Sequence, residues 1–246
     1  MQINWLSKLQ EIPVIHSAGL LSVTPMQQGL GNQSLLLTTS QGNWVFRMNQ
    51  TQLGVNRQLE AQVLQSVKSL NIAPKVIENN PEAGYLIVEH LHQSTWKPQD
   101  FSSTKKVKKL QSKLEQLHRI QFTAPASRLD HRIPEYLKDF KVVPHNVSSE
   151  ITQQLKQLAD LRFWSACQYL CHYDLNPLNL LGDHPWIIDW EFAGQGHALI
   201  DWLVMEHESG HDLSSFYPEE INPDWVQPLK KLIHNMMVLW RLNLSA

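Results

Sequence analysis

Residues 1–90 never hold one hydrophobic period for long, and this constrains the fold more than any other feature of the chain. Leu20 to Gln28 alternates like a strand, and Pro25, which has no N–H to give a ladder, makes it an edge or bulged one. Gly29-Leu-Gly-Asn32 is a turn. Ser34–Thr39 is a second strand, Gln41-Gly-Asn43 a tight hairpin turn and Trp44–Met48 a third strand. Helical spacing appears only afterwards, with Leu59, Val63, Leu64 and Val67 between Asn56 and Leu70 and Asn56 as N-cap. Ala73-Pro74 breaks that helix. Lys75–Ile77 and Tyr85–Glu89 are two more strands around the turn at 79–84. Three strands, a helix and two strands predict a five-stranded antiparallel sheet with one main helix.

The pattern changes after His90. Lys105–Ile120 reads as a helix with Val107, Leu110, Leu114 and Leu117 on its apolar face and its lysines as a solvated face. Residues 121–147 carry Pro125, Pro134 and Pro144 and read as a long connection with at most a short helix near Glu135. Further helices are expected at Ser148–Leu161, Leu199–Glu206 and Asp224–Leu242, and short strands around Leu180 and Ile187. The fold class is therefore α+β: a sheet-based domain over residues 1–90 and a mainly helical one over 91–246.

Composition narrows the partners. At 42% hydrophobic residues, the chain can build a sizeable core and is not a disordered one. A formal charge of -2 lacks the basic excess of a nucleic-acid binder. No apolar run approaches the roughly 18 residues of a membrane span. Met1–Glu11 reads as a short amphipathic helix with Ile3, Leu6 and Leu9 on one face, not as a signal peptide. The expected location is the cytoplasm, with Cys167 and Cys171 as reduced thiols used in packing. Oligomeric state is left open.

The chemistry concentrates between Cys171 and Asp201. His172-Tyr-Asp174 leads through a Pro-containing loop to Asn179, and the apolar pair Ile187-Ile188 runs directly into Asp189-Trp-Glu191. A buried strand that ends in a carboxylate presents that charge at a rim, where a cation can neutralise it. Asp174 is a candidate base, and Asn179 and Asp189 are two oxygen ligands of the kind a hard cation shares with phosphates. This is the residue set of phosphoryl transfer.

His-x-Asp-x-x-x-x-Asn followed by Ile-Asp-Trp-Glu resembles the aminoglycoside phosphotransferase and choline kinase superfamily, small-molecule kinases with a two-lobed protein-kinase-like fold. The resemblance extends over residues from about 28 to 205. Gly29-Leu-Gly31-Asn32-Gln-Ser34 resembles the family's nucleotide-loop turn, although the third glycine of the protein-kinase loop is missing. Arg47 stands where protein kinases place a strand lysine, as in choline and thiamine kinase relatives, and Glu60 stands where the helix glutamate pairs with that cation. Ala73-Pro74-Lys75 and Leu86–Leu91 resemble the strand and hinge that close the small lobe, and Leu117-His118-Arg119 resembles a helix end of the large one.

The resemblance implies ATP and Mg²⁺ as cofactors. It places the phosphates under the Gly29–Ser34 turn and against Arg47, the adenine against the backbone near Glu89–Leu91, and the metal on Asn179 and Asp189. Asp174 would receive the proton of a hydroxyl on a small alcohol such as choline, ethanolamine or thiamine, with an aminoglycoside as the alternative acceptor. His172 and Asp201 would be structural. Glu191 is open between a metal or acceptor contact and a pair with a lysine. Glu206, Glu208, Asp212 and some of the nine tryptophans are candidates for greeting an amine.

Two readings of other classes compete. His207-Glu208-Ser-Gly-His211 matches the zinc-hydrolase pattern His-Glu-x-x-His, which needs one continuous helix to bring both imidazoles to a single face. Gly210 disfavours that helix by ~1 kcal/mol relative to alanine. The other is a non-catalytic, kinase-shaped binding module, but every acidic and amide residue of the active pattern is present.

Overall fold

The computed structural model describes residues 9–26 and 33–244. By their contacts the residues form two compact units, 1–52 with 74–92, and 53–73 with 93–246. Ile3, Leu6 and the turn residues Gly29, Gly31 and Asn32 lie outside the described residues.

The first unit holds a short helix α1 (Pro13–Ser17) and strands β1 (Leu20–Pro25), β2 (Gln33–Thr39), β3 (Gly42–Met48), β4 (Val76–Asn80) and β5 (Tyr85–Glu89). The strands form one antiparallel sheet in the order β1-β2-β3-β5-β4. Pro25 ends the edge strand, where its missing N–H costs no ladder bond. Register makes the core: Leu35 pairs with Phe46, Leu37 with Trp44, and Phe46 with Ile87. Because side chains alternate along a strand, these five share one face. Leu9, Ile15 and Ala18 close over that face and are buried with it.

The second unit begins with α2 (Arg57–Val67), whose N-cap is Asn56: its side-chain oxygen accepts the N–H of Leu59 at 3.0 Å. Next come α3 (Thr104–Leu117), α4 (Leu129–Asp139), α5 (His145–Asp160) and the one-turn α6 (Phe163–Ala166). Strands β6 (Tyr169–Cys171), β7 (Leu180–Leu181), β8 (Trp186–Ile187) and β9 (Gly194–Gly196) form two small antiparallel sheets, β6-β9 and β7-β8. Helices α7 (Ala198–Ser209) and α8 (Val226–Leu244) complete it. Val107, Leu110, Leu114 and Leu117 of α3 are buried, as their spacing predicts. Helix α7 buries every residue from Leu199 to Met205, so it runs through the interior of this unit.

The structure corrects the reading of residues 121–147. Instead of a long connection with a short helix, α4 spans eleven residues with Pro134 inside it, and α5 starts at His145, three residues before the expected Ser148. Proline removes one helical N–H and crowds the preceding turn. Burial of Arg132, Ile133 and Tyr136 on one face of α4 outweighs that penalty, which no local signal could have shown. Both cysteines are buried free thiols, Cys167 pushed up to about 12 by burial and Cys171 raised by the same cause. Both pack into the hydrophobic core of the second unit.

Just before α2, Gly54 has φ +74°, and a Cβ there would fall 2.2 Å from Cε1 of Tyr136 on α4. Gly54→Ala is expected to cost more than the ~1–2 kcal/mol of the left-handed backbone alone. A scan of thermal unfolding should show Tm lowered by more than about 2 °C.

Candidate active site

A two-residue hairpin builds the core of the site. Leu180 pairs with Ile187 and Leu181 with Trp186. Continuing that antiparallel register one step outwards sets Asn179 opposite Ile188, and the Ile188 N–H donates to the Asn179 carbonyl at 3.0 Å. Asp189 therefore follows directly on the residue that faces Asn179, although ten positions separate Asp189 and Asn179 in sequence. Asp189 itself adopts the left-handed conformation, φ 63°, and caps a single 3-10 turn at Trp190–Phe192.

Asp174 is partly buried in the loop before this hairpin. Its Oδ1 accepts from Asn176 Nδ2 at 3.0 Å and its Oδ2 from Asn179 Nδ2 at 2.9 Å. The Asn179 amide also donates to the Asp174 carbonyl at 2.8 Å. Asn179 thus spends its nitrogen on Asp174, which leaves its carbonyl oxygen as the ligand-capable atom. Burial raises the Asp174 carboxyl to about 6, against the two amide hydrogen bonds and with the charges of Glu208 and Glu191 adding to the rise. A carboxyl so placed is ionised at neutral pH and still basic enough to receive a proton.

His172 is fully buried and serves geometry. Its Nδ1 accepts the N–H of Asp174 at 3.3 Å, so Nε2 carries the hydrogen and donates to the Ile188 carbonyl at 3.0 Å. One imidazole ties the base to the strand that ends in Asp189. Burial lowers its pKa to about 4, against the opposing pull of Asp201 and the Ile188 carbonyl, so it is neutral at pH 7.

Beneath this loop lies Asp201 of α7, wholly buried. Its carboxylate accepts the consecutive N–H groups of His172 at 3.0 Å and Tyr173 at 2.8 Å, and Nε2 of His118 at 2.8 Å. Burial alone raises this carboxyl; the hydrogen bond and charge of His118 and the His172 N–H outweigh it and hold it below the usual carboxylate range. Tyr173 is held with φ 68°, the bend that delivers Asp174 to the loop. The sequence reading took Asp201 for a structural helix start. Its apolar neighbours, Leu199-Ile200 and Trp202-Leu203, were the available signal that it is a buried and therefore paired charge.

Two arginines that no motif singled out hold the turn after Asp189. Arg57 of α2 donates from Nη1 to Glu60 at 3.0 Å and to Glu191 at 2.8 Å. Arg132 of α4 donates to the carbonyls of Phe192 and Ala193. Glu60, expected beside nucleotide, is a buried residue of the second unit. In the first unit, Ser34 on β2 sits directly opposite Arg47 on β3, and Arg47 Nε donates to Asn49 Oδ1 at 3.0 Å. Glu89 ends β5 with its N–H on the Lys75 carbonyl, and Leu91 follows it, partly buried.

The zinc-hydrolase geometry is absent. Helix α7 stops at Ser209, Gly210 is left-handed at φ 71°, and His211 lies beyond the helix end. His207 Nδ1 faces Glu208 at 3.0 Å and His211 Nδ1 faces the Ser209 carbonyl at 3.0 Å, so the two imidazoles do not share a helix face. Among the described residues, His118, Cys171 and Asp201 are the one cluster of metal-ligating side chains, and its carboxylate is already committed to three donors.

The sequence matches the phosphotransferase enzyme family over residues 22–226. The chain belongs to that family. No curated protein matches it in sequence. Among solved structures, choline kinase LicA from Streptococcus pneumoniae matches with a TM-score of 0.77 at 20% identity, over 98% of this chain and 92% of its own. LicA in complex with AMP gives 0.72 at 22% identity, over 92% and 84%. Macrolide 2'-phosphotransferase MphH from Brachybacterium faecium gives 0.62 at 15% identity, over 96% and 93%. At these identities the likeness is one of fold: α+β and kinase-like, as the resemblance implied. Among the described residues no helix is long and apolar enough to cross a membrane.

In this member of the family, Asp201→Asn is expected to cost about 3–5 kcal/mol, because one partner of a buried charged network is removed. The sign with pH follows from the depressed carboxyl. Its stabilisation is present above the unfolded value near pH 4 and fades as pH falls through the lower folded one. Urea unfolding of wild type and variant should therefore differ most at neutral pH and converge below about pH 4.

Proposed function

We propose that this phosphotransferase moves the γ-phosphoryl group of ATP to a hydroxyl of a small cationic alcohol such as choline, ethanolamine or thiamine. The observation that carries the reading is the Asp174–Asn179 arrangement. The Asn179 amide nitrogen holds the Asp174 carboxylate, which leaves the Asn179 oxygen as the atom that could ligate a metal. Support for a cationic acceptor comes from the partly exposed carboxylate of Glu208, whose charge is felt at Asp174. A positively charged alcohol would be drawn to that carboxylate.

In this proposal Asp174 accepts a hydrogen bond from the acceptor hydroxyl, aims it and takes its proton as the oxygen attacks. Asn176 and Asn179 keep the carboxylate from turning away. The oxygens of Asn179 and Asp189 would hold Mg²⁺, an all-oxygen donor pair that suits a hard cation. When bound, that ion neutralises phosphate charge. Arg47 and Ser34 would contact the phosphates, together with the turn at Gly29, Gly31 and Asn32, and Glu89–Leu91 the adenine, residues 1–90 acting as the nucleotide-binding lobe and 91–246 as the catalytic one. Most of the rate would come from positioning and charge neutralisation.

The test is a panel of ATP turnover and thermal shift on the purified protein, with and without Mg²⁺. The acceptors are choline, ethanolamine, thiamine, kanamycin and a macrolide. The expected result is Mg-ATP stabilisation and turnover with one amino alcohol or thiamine. Turnover with kanamycin or the macrolide instead would replace the acceptor class, and Mg-ATP binding with no turnover on any alcohol would favour a binding module. Asp174→Asn should lower kcat by about 10²- to 10⁴-fold with nucleotide affinity kept. Asp189→Ala should abolish the Mg²⁺ dependence of nucleotide binding.

A further inference from the structure

Glu191 sits two residues after Asp189, is buried, and was open between a metal contact, an acceptor contact and a pair with a lysine. Its partner is an arginine, 134 positions earlier in the chain. Arg57 Nη1 lies between two buried carboxylates, 2.8 Å from Glu191 Oε2 and 3.0 Å from Glu60 Oε2, with side chains only 14%, 3% and 2% exposed for Arg57, Glu191 and Glu60. Both contacts come from the one nitrogen, whose two hydrogens can serve one carboxylate each, and a guanidinium keeps its charge when buried.

The rest of the turn is held mainly through its backbone. The Ala193 N–H returns to the Trp190 carbonyl, and Arg132 takes the carbonyls of Phe192 and Ala193 from α4. The Glu191 side chain ties the same turn to α2. Asp189, which caps the turn in a left-handed conformation, depends on where that turn is pinned.

We infer that Arg57 and Glu191 are a positioning pair for the Asp189 turn: the Glu191 carboxylate is an anchor on α2, and neither residue touches metal or acceptor. The inference rests on the phosphotransferase reading above, because it assigns the pair to the metal-holding side of that site. It also explains why Glu60 follows Arg57 by one helical turn. Glu60 is the second carboxylate on the same guanidinium and helps to fix its rotamer.

The experiment is a double-mutant cycle read in kinetics. Arg57→Met and Glu191→Gln are each expected to raise the Mg²⁺ concentration for half-maximal turnover, and KM for Mg-ATP, by about 10- to 100-fold, the usual effect of losing a group that orients a ligand. KM for the alcohol stays at the wild-type value. The double variant Arg57→Met/Glu191→Gln is no worse than the weaker single one, because both remove the same interaction. Arg57→Lys, which keeps the charge on a shorter side chain with a different head group, gives a partial effect, and it stands in should Arg57→Met not fold.

Three results overturn the inference. In the first, Glu191→Gln shifts the Mg²⁺ requirement while the Arg57 variants do not, which makes Glu191 a ligand. In the second, the alcohol KM moves instead, which makes it an acceptor contact. In the third, Tm falls with unchanged Mg-ATP parameters, which leaves the pair a structural brace. A wild-type protein that neither binds Mg-ATP nor turns it over overturns the phosphotransferase reading itself, and this inference with it.

Discussion

A single buried carboxylate organises the loop that carries Asp174. Asp201 has no contact with water and is held ionised by three donors, two of them consecutive backbone N–H groups. Burying such a charge costs several kcal/mol unless every lone pair is engaged. The cost is met by fixing the backbone on which Asp174 depends. Tyr173 is bent to φ 68° directly above it, and its hydroxyl donates to the Gln195 carbonyl on β9. Helix α7 is apolar enough to be surrounded by core, so the carboxylate it carries cannot relax towards solvent.

From that anchor the site is a chain of short links. His172 joins the base loop to Ile188, the β7–β8 hairpin sets Asn179 against the strand entering Asp189, and arginines from α2 and α4 grip the following turn. Neutral groups orient the reacting ones throughout. The imidazole is pushed far below physiological pH, and the two amides touching Asp174 cannot take its proton. Burial, by contrast, raises the Asp174 carboxyl towards neutrality.

Membership in the phosphotransferase family and kinase-like fold neighbours agree with this arrangement. The neighbours include a choline kinase and a macrolide phosphotransferase at similar low identity, so the acceptor must be argued from the chain itself. The buried pairing of Glu191 with Arg57 leaves Glu208, at the C-terminal end of α7, as the more accessible of the two carboxylates whose charges reach Asp174.

Local pattern was enough for the sheet. Alternation from Leu35 to Leu37 and Trp44 to Phe46 fixes which faces are buried, and Asn56 announces the start of α2, because both signals are carried by neighbours in sequence. The meeting of Asp174 and Asn179 is likewise legible, since the short loop between them leaves their side chains little freedom. Only the tertiary structure decided the rest. Pro134 argues locally against α4, and burial of Ile133 and Tyr136 overrides it. Gly210 ends α7 and removes the zinc geometry. The partners of Asp201 and Glu191 come from 29 and 134 positions away, and at such separations an ion pair or a capped N–H leaves no periodicity to read. A charge set among apolar residues tells that it must be paired; only the fold tells with what.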